Sequence, residues 1–288
     1  MRARRRAGEW IEPPSMSTLS DRIPSLDALL QLLQPHGGTD VHYLSHHYDR
    51  FAATKREFES SWDRARGTRV LDIGAHWLHQ SMLYAVDGYR VTATDLPITL
   101  ELASVQSLAA AHGIRLVATP DLSRADVFAA LGDNSFDIIL FTEIIEHITF
   151  NPVAMWKEIY RVAAPGARVI VTTPNYYALR GRAWDPGRFL RGFGGGLDML
   201  SLLKQHTYAH HWKEFSRREL IYYFCVLSPD FNTVKAKYLP EFHDRYLATR
   251  GGRAGKWFER TIPFLRPNLH LEIELVAKQK GICIVPEW

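Results

Sequence analysis

The stretch VLDIGAHWLHQS at residues 70–81 has the pattern of a buried strand that turns at a glycine and continues into a helix. Gly74 permits a close approach of the backbone to a ligand, because glycine has no Cβ atom. Cofactor-binding turns of this kind usually carry a second glycine two residues later, where this chain has His76. The stretch is therefore interpreted either as a cofactor loop with an unusual residue or as a tight turn in a core.

Strands and helices alternate on both sides of this turn. This alternation predicts an α/β fold with a doubly wound, mostly parallel sheet, in which the carboxyl ends of the strands meet at one edge. The predicted strands span 69–74, 89–95, 114–119, 135–143, 167–173, 231–238 and 270–279, the last at or near an edge. The predicted helices span 78–86, 99–113, 123–131, 152–163 and 217–227. A seven-stranded sheet follows from this count.

The flanking segments predict a division of the chain into three parts. Residues 1–20 are expected to form a disordered tail, residues 21–65 a helical cover, and residues 66–288 the main domain. An insertion after the fifth strand, at about 174–215, is rich in Gly, Arg, His and aromatic residues. Long connections at the carboxyl ends of strands commonly carry function, so this insertion is expected to form a substrate lid.

Bulk properties narrow the class of protein. The net charge of +4 over 288 residues is too small to argue for a nucleic-acid partner. The two cysteines form no disulfide framework, which favours the reducing cytoplasm. No apolar run reaches the roughly 20 residues of a membrane span, so stable membrane insertion is not expected. The oligomeric state stays open.

A stretch in the C-terminal part that combines aromatic and basic residues has two interpretations. The stretch GKWFERTIPFLRP at 255–267 places aromatic residues beside basic ones. Such a pattern is typical of segments that touch membranes or lipid-linked substrates. Packing of its apolar side on the domain is the favoured interpretation.

An acidic residue after the second strand supports the cofactor interpretation. Asp95 lies 23 residues after Asp72, at the position where a carboxylate binds the ribose hydroxyls of a nucleotide-type cofactor. A glycine turn, a correctly placed acid and alternating units together are a stronger signal than the turn alone.

The chain resembles the class I S-adenosylmethionine-dependent methyltransferases, in the branch of the ubiquinone-biosynthesis O-methyltransferases and of methyltransferase types 11 and 12. The matching stretches are VLDIG (70–74), VTATD (91–95), NSFDIILFTEIIEHI (134–148), EIYRVAAPGARVIVTTPN (158–175) and HHWKEFSRREL (210–220). The resemblance implies a Rossmann-like fold and S-adenosylmethionine as the cofactor. The family commonly has glycine at the positions of His76 and Leu78, which this chain lacks.

The resemblance also implies a set of cofactor-binding residues. Asp72 and Gly74 would shape the methionine end of the pocket, Asp95 would bind the ribose, and Asp121 would approach the adenine amine. Thr142 would lie beside the sulfonium. The full implied set is Asp72, Gly74, Ala75, His76, Asp95, Leu96, Asp121, Leu122 and Thr142.

The EIIEH stretch at 143–147 and a downstream histidine predict the catalytic groups. His147 or His211 is expected to act as a base, with Glu143 orienting the substrate or the base. A hydroxyl acceptor needs such a base more than an amine does. The predicted reaction is therefore methyl transfer to an oxygen, less favourably a nitrogen, of a small-molecule or sugar-type acceptor.

Two alternatives stay open beside this reaction. If the EIIEH stretch is helical, Glu143, Glu146 and His147 share one face and could bind a divalent metal, with His211 as a fourth ligand. This pattern is similar to that of the RNA 3′-end ribose 2′-O-methyltransferases, although no metal is expected in the main interpretation. The second alternative is a non-catalytic methyltransferase-like partner protein, which His76 would favour by closing the cofactor pocket.

Overall fold

Seven strands form one sheet at the centre of the protein, seen in a computed structural model that describes residues 22–37, 40–179, 183, 190, 199–204, 210–240 and 250–286. The strands are β1 (Arg69–Ile73), β2 (Arg90–Asp95), β3 (Arg115–Ala118), β4 (Phe136–Thr142), β5 (Ala163–Pro174), β6 (Phe231–Leu239) and β7 (Asn268–Leu275). Their order is β3-β2-β1-β4-β5-β7-β6. The first five are parallel, and β7 runs antiparallel to both β5 and β6. The predicted doubly wound, mostly parallel seven-stranded sheet is confirmed.

Helices cover both faces of this sheet. They are α1 (Leu26–Leu33), α2 (Val41–Glu59), α3 (His79–Ala85), α4 (Pro97–Leu100), α5 (Ala103–His112), α6 (Val153–Val162), α7 (Met199–Lys204), α8 (Arg217–Leu227) and α9 (Arg250–Thr261). Short 3₁₀ turns occur at Gln34–His36, Arg64–Arg66, Ile145–His147 and Pro263–Leu265. Among the described residues, no helix is long and apolar enough to cross a membrane.

Two apolar layers follow from the alternation of side chains along the central strands. Successive residues of a strand point to opposite faces. Ile138 of β4 joins the layer beneath α1, α2, α3 and α5, whereas Ile139 joins the layer beneath α6 and α8. The central strands are therefore buried on both faces, which is the usual state of a parallel sheet.

The helix α2 is anchored by a buried cation. Lys55 is fully buried, and its Nζ atom lies 2.8 Å from Glu59 Oε1 and also contacts Asp87 after α3. A buried charge is tolerated only when it is paired in this way. The pairing fixes the C-terminal half of α2 against the α3 connection, so that its N-terminal half lies over the edge where β1 and β4 end.

The predicted helix at 123–131 is wrong. Asp121 Oδ1 accepts a bond from Ser123 N at 2.8 Å, and the following amides bond three residues back, as in Leu131 N to Phe128 O at 2.8 Å. These are repeated turns rather than α-helical bonds to the fourth preceding residue. Phe128 and Leu131 are buried in this arrangement, and their packing replaces the helix.

Other predicted boundaries shift modestly. The helix at 99–113 is divided into α4 and α5 and ends at Gly113, which has a φ of 64°. The last strand is one position in from the sheet edge. The predicted tail at 1–20 lies outside the described residues, as does most of the predicted lid at 174–215. The division into tail, cover and main domain stays a prediction.

Candidate active site

A cavity of about 730 Å³ opens at the carboxyl ends of β1, β2, β3 and β4. It brings together eleven of the twelve predicted catalytic and cofactor-binding residues; the twelfth, His211, does not line it. The predicted residues that line the cavity are Asp72, Gly74, Ala75, His76, Asp95, Leu96, Asp121, Leu122, Thr142, Glu143 and His147. This edge is where open α/β sheets usually bind their ligands.

The loop after β1 follows a path that glycine would adopt without strain. Gly74 has a φ of 74°, and its amide and that of Ala75 both donate to Thr94 O, at 2.8 and 3.1 Å. His76 and Leu78 have φ values of 50° and 65°, although side chains disfavour this left-handed region. The loop therefore keeps a left-handed path of the kind that glycine favours, although these two positions carry side chains.

The imidazole of His76 packs within an aromatic cluster. Its ring centroid lies 3.8 Å from that of Trp77 and 5.1 Å from that of Tyr43 in α2. Burial lowers the pKa of His76, so the ring is neutral near pH 7. This packing makes Tyr43 one wall of the cavity, which the sequence analysis did not predict.

The carboxylate of Asp95 is held in place by the loop. Its Oδ2 accepts a bond from His76 N and its Oδ1 accepts one from Leu96 N, both at 2.7 Å. An ionised carboxylate offers about four acceptor positions, so about two are left for a ligand. The arrangement suits recognition of a pair of neighbouring hydroxyl groups.

Asp72 lies beneath the loop in a desolvated position. It is 1% exposed, and its Oδ2 accepts a bond from Ser81 Oγ at 2.6 Å. Burial raises the pKa of this carboxyl to about 7, since an ionised group would lose its hydration there. Asp72 is thus poised between its two protonation states at neutral pH.

A cation from α2 meets the acid that follows β4. Arg50 Nη1 lies 2.9 Å from Glu143 Oε2, and both side chains are less than one-fifth exposed. Glu143 itself has a left-handed φ of 56°, with its amide bonded to Thr172 O at 2.8 Å. Arg50 was missed by the sequence analysis, although it lies seven residues after Tyr43 and so on the same helical face.

The EIIEH stretch is not an α-helix, so the predicted common face is absent. Only Ile145–His147 turn, as a single 3₁₀ unit, and Glu143 points to Arg50. Glu146 is fully buried and accepts a bond from Thr173 Oγ1 at 3.0 Å. Burial, with Glu143 nearby, raises the pKa of Glu146 well above its ordinary value.

Two histidines lie next to each other at this end of the cavity. His147 Nδ1 is 3.0 Å from the carbonyl oxygen of His210, and the rings of His147 and His211 are 4.9 Å apart. Burial and the neighbouring His211 lower the pKa of His147, which favours its neutral form.

Three of the four alternative metal ligands form one cluster. Single ligand atoms of Glu146, His147 and His211 all lie within 4.8 Å of one another. Imidazole nitrogen and carboxylate oxygen are suitable donors for a divalent cation. The fourth predicted ligand, Glu143, is paired with Arg50 instead.

Comparison with known proteins adds a family and a set of similar folds. The sequence model of a family described as a methyltransferase domain matches residues 44–224, more than half of the chain. An S-adenosylmethionine-dependent methyltransferase from Mesorhizobium loti has a TM-score of 0.54 at 14% identity, over 80% of this chain and 97% of its own. A Haloferax volcanii protein described as a methyltransferase, solved with the Trm112 methyltransferase activator, has a TM-score of 0.55 at 12% identity, over 86% and 98%. Identities this low show a common fold and nothing about substrates.

Proposed function

Because the chain belongs to the class I S-adenosylmethionine-dependent methyltransferases, we propose that it methylates an oxygen, or less favourably a nitrogen, of a small-molecule or sugar-type acceptor. S-adenosylmethionine supplies a methyl group that its sulfonium already activates for displacement. The observation that carries the choice of oxygen is a neutral imidazole, His147, in the same cavity as the Asp95 loop.

The cavity residues fit the proposed cofactor. The volume of about 730 Å³ lies within the range of small-molecule sites. Asp95 has hydrogen-bond acceptor positions left for the ribose hydroxyls, and the carboxyl of Asp72 suits the positive ammonium group of the cofactor. Among the described residues, buried Glu143 Oε1 and His76 Nδ1 have no hydrogen-bond partner, so each can bond to a ligand.

The tautomer of His147 suits it to act as a base. A backbone carbonyl can only accept, so the bond to His210 O requires the proton on Nδ1. The lone pair of Nε2 is then available to remove a proton from an acceptor hydroxyl. Such a base contributes about 10²–10⁴-fold to a rate, whereas positioning the reactants contributes effective molarities of about 10⁵–10⁸ M.

Glu143 is proposed to orient the acceptor rather than to transfer a proton. Its carboxylate is fixed by Arg50, and its neighbour Thr142 donates to Gln80 Oε1 at 2.9 Å. A carboxylate oxygen held at the end of β4 can accept a hydrogen bond from a substrate hydroxyl and align this hydroxyl for attack on the methyl group. Recognition of the rest of the acceptor is assigned to the proposed lid at 174–215.

The exposed, unpaired cysteines Cys225 and Cys283 are compatible with the reducing cytoplasm, which we propose as the location.

The proposal is tested by calorimetric titration with S-adenosylhomocysteine and S-adenosylmethionine. The wild type should bind both, and Asp95→Ala should bind at least about a hundredfold more weakly, because two charge-assisted hydrogen bonds are removed. Asp126→Ala is the matched control, since this carboxylate is exposed and pairs with Arg124 outside the cavity. Absence of binding by the wild type, or equal binding by Asp95→Ala, would contradict the proposal.

The choice of acceptor atom needs a second measurement. Transfer of a labelled methyl group to paired hydroxyl and amine acceptors should favour the hydroxyl in the wild type. His147→Ala should lose the hydroxyl reaction more than the amine reaction, since an amine with a free lone pair needs no base.

The metal-ligand cluster favours a second candidate function. A divalent cation on Glu146, His147 and His211 would suit methylation of the terminal ribose 2′-hydroxyl of RNA. This candidate predicts saturable binding of Mn²⁺ that His211→Ala abolishes, together with activity on RNA that a 2′-deoxy end abolishes. If Mn²⁺ does not bind, or binds equally to the variant, this function is excluded.

A further inference from the structure

The C-terminal part of the chain presents aromatic side chains to solvent. Trp257 is 60% exposed, Phe258 42% and Phe264 43%. A single exposed apolar residue is ordinary, whereas the ring centroids of Trp257 and Phe258 lie only 5.0 Å apart and form one exposed patch. We use the name aromatic–basic surface for Arg253, Trp257, Phe258, Arg260 and Phe264.

Helix α9 is oriented by its small residues. Gly252 and Gly255 are buried, whereas Arg253, Trp257 and Arg260 are exposed. The last three are spaced by four and three residues, so they form one stripe along the helix. Trp257 therefore lies between two arginines on the face directed away from the protein.

The charge of this segment is one-sided. Residues 253–267 contain four basic residues and one acidic residue. The excess of basic groups around exposed aromatic rings is complementary to an anionic surface.

Hydrogen bonds attach the aromatic–basic surface to the edge of the sheet where the parallel strands end. Asn175, directly after β5, donates through Nδ2 to Phe264 O and Arg266 O, both at 2.7 Å. Leu179 N donates to Leu265 O at 2.9 Å, and Arg266 Nε donates to Glu259 O at 3.0 Å. The surface is thus a fixed feature beside the end of β5.

We propose that the aromatic–basic surface docks on the interface of an anionic lipid bilayer. Tryptophan has an amphipathic ring that partitions to the headgroup level, and flanking arginines are attracted to anionic lipids. Helices with a basic polar face and aromatic residues lie in the interface plane without crossing the bilayer. The surface consists of protruding side chains, which suit a deformable lipid layer better than a rigid protein pocket.

This inference goes beyond the proposed function and does not depend on it. It assigns a peripheral contact, and it places the cavity edge near the lipid headgroups while the protein is bound.

Vesicle co-sedimentation tests the inference with the full chain. The wild type should bind vesicles of phosphatidylcholine with phosphatidylglycerol, bind pure phosphatidylcholine vesicles much more weakly, and lose binding at high salt. Arg253→Gln/Arg260→Gln should lower partition to the anionic vesicles about fivefold per arginine removed. Trp257→Ala/Phe258→Ala should lower it on both kinds of vesicle.

Tyr222→Ala is the matched control, since Tyr222 is 69% exposed on α8 and should bind vesicles like the wild type. Each variant should keep the wild-type midpoint of urea unfolding, which separates a lost surface from a lost fold. Absence of vesicle binding, or unchanged binding by Trp257→Ala/Phe258→Ala, overturns the inference. It is also overturned if sedimentation shows a dimer that the same double variant abolishes, because the surface would then contact a second copy.

Discussion

Replacement of Asp72 by asparagine should stabilise the protein at alkaline pH and weaken cofactor binding. Asp72 is completely desolvated in β1, where the hydroxyl of Ser81 bonds to its carboxyl at 2.6 Å. Asparagine has nearly the same shape and keeps an oxygen that accepts this bond. The substitution therefore removes the ionisable group with little change in packing.

The sign and size of the effect follow from the pKa. Burial raises the pKa of Asp72 from 3.8 to about 7, so the folded state binds more protons than the unfolded state between these values. Below the unfolded pKa, Asp72 is protonated in both states and does not lower the free energy of unfolding. As pH rises to about 7, ionisation in the unfolded state lowers the free energy of unfolding by about 4 kcal/mol in total. At pH 5 only about 1.5 kcal/mol of this cost has developed.

The amide of asparagine carries its own cost. Its buried NH₂ group loses hydration, at about 1–3 kcal/mol, and this cost does not depend on pH. The advantage of Asp72→Asn over the wild type should therefore grow by about 3 kcal/mol between pH 5 and pH 8, whatever its absolute value.

Urea unfolding at several pH values measures this difference. Asp126→Asn serves as control, because this exposed carboxylate should not produce a comparable rise with pH. A difference between Asp72→Asn and wild type that is the same at pH 5 and pH 8 would refute the reasoning. In parallel, the variant should bind S-adenosylhomocysteine more weakly, since it lacks the carboxylate that we propose to complement the ammonium group of this ligand.

Three further substitutions test the loop, the ion pair and the base. Gly74→Ala should lower the unfolding free energy by about 1–3 kcal/mol, as measured by chemical denaturation. The residue has a φ of 74°, and an added Cβ would lie 2.3 Å from Ile144 Cδ1. Arg50→Met leaves the carboxylate of Glu143 without its cation and should lower the unfolding free energy by about 1–3 kcal/mol. A double-mutant cycle with Glu143→Gln should give a coupling energy above about 0.5 kcal/mol. Burial lowers the pKa of His147, which we propose to act as a base when neutral. The kcat should therefore fall only at acidic pH, and His147→Ala should lack that limb.

The sheet could be predicted from the sequence because burial on both faces produces a continuous apolar run. The strand predicted at 135–143 contains β4, every residue of which is buried except Thr142 at the edge. Gly74 in the turn after β1 and Asp95 at the end of β2 were also identifiable, since few residue types can take either place.

The segment at 123–131 could not be predicted in the same way. Its apolar residues have helical spacing, which is also what two turns produce when Phe128 and Leu131 pack on the sheet. Asp121 bonds locally to Ser123 N at 2.8 Å and so offers the backbone an alternative to a helix. Local pattern and tertiary packing disagree here, and packing determines the outcome.

The conformation of the first loop is a similar case. The sequence indicates that His76 should alter the pocket, and that His76 and Leu78 both stand where the resembling family commonly has glycine. In the structure both residues adopt positive φ values, and Leu78 is completely buried. The apolar burial of Leu78, together with the packing of His76 against Trp77 and Tyr43, offsets the backbone strain.

The helix α2 shows most clearly why a site can contain residues that no sequence motif predicts. The sequence predicted this segment only as part of a helical cover, yet Tyr43, Arg50 and Phe51 line the cavity. Arg50 pairs with Glu143, which we propose to orient the methyl acceptor. The buried cation Lys55 holds the helix in place from its other end, so the geometry of the cavity depends on an ion-pair network outside it. Ligand binding should consequently stabilise α2 by linkage, and a substitution that loosens α2 should weaken ligand binding without touching any motif residue.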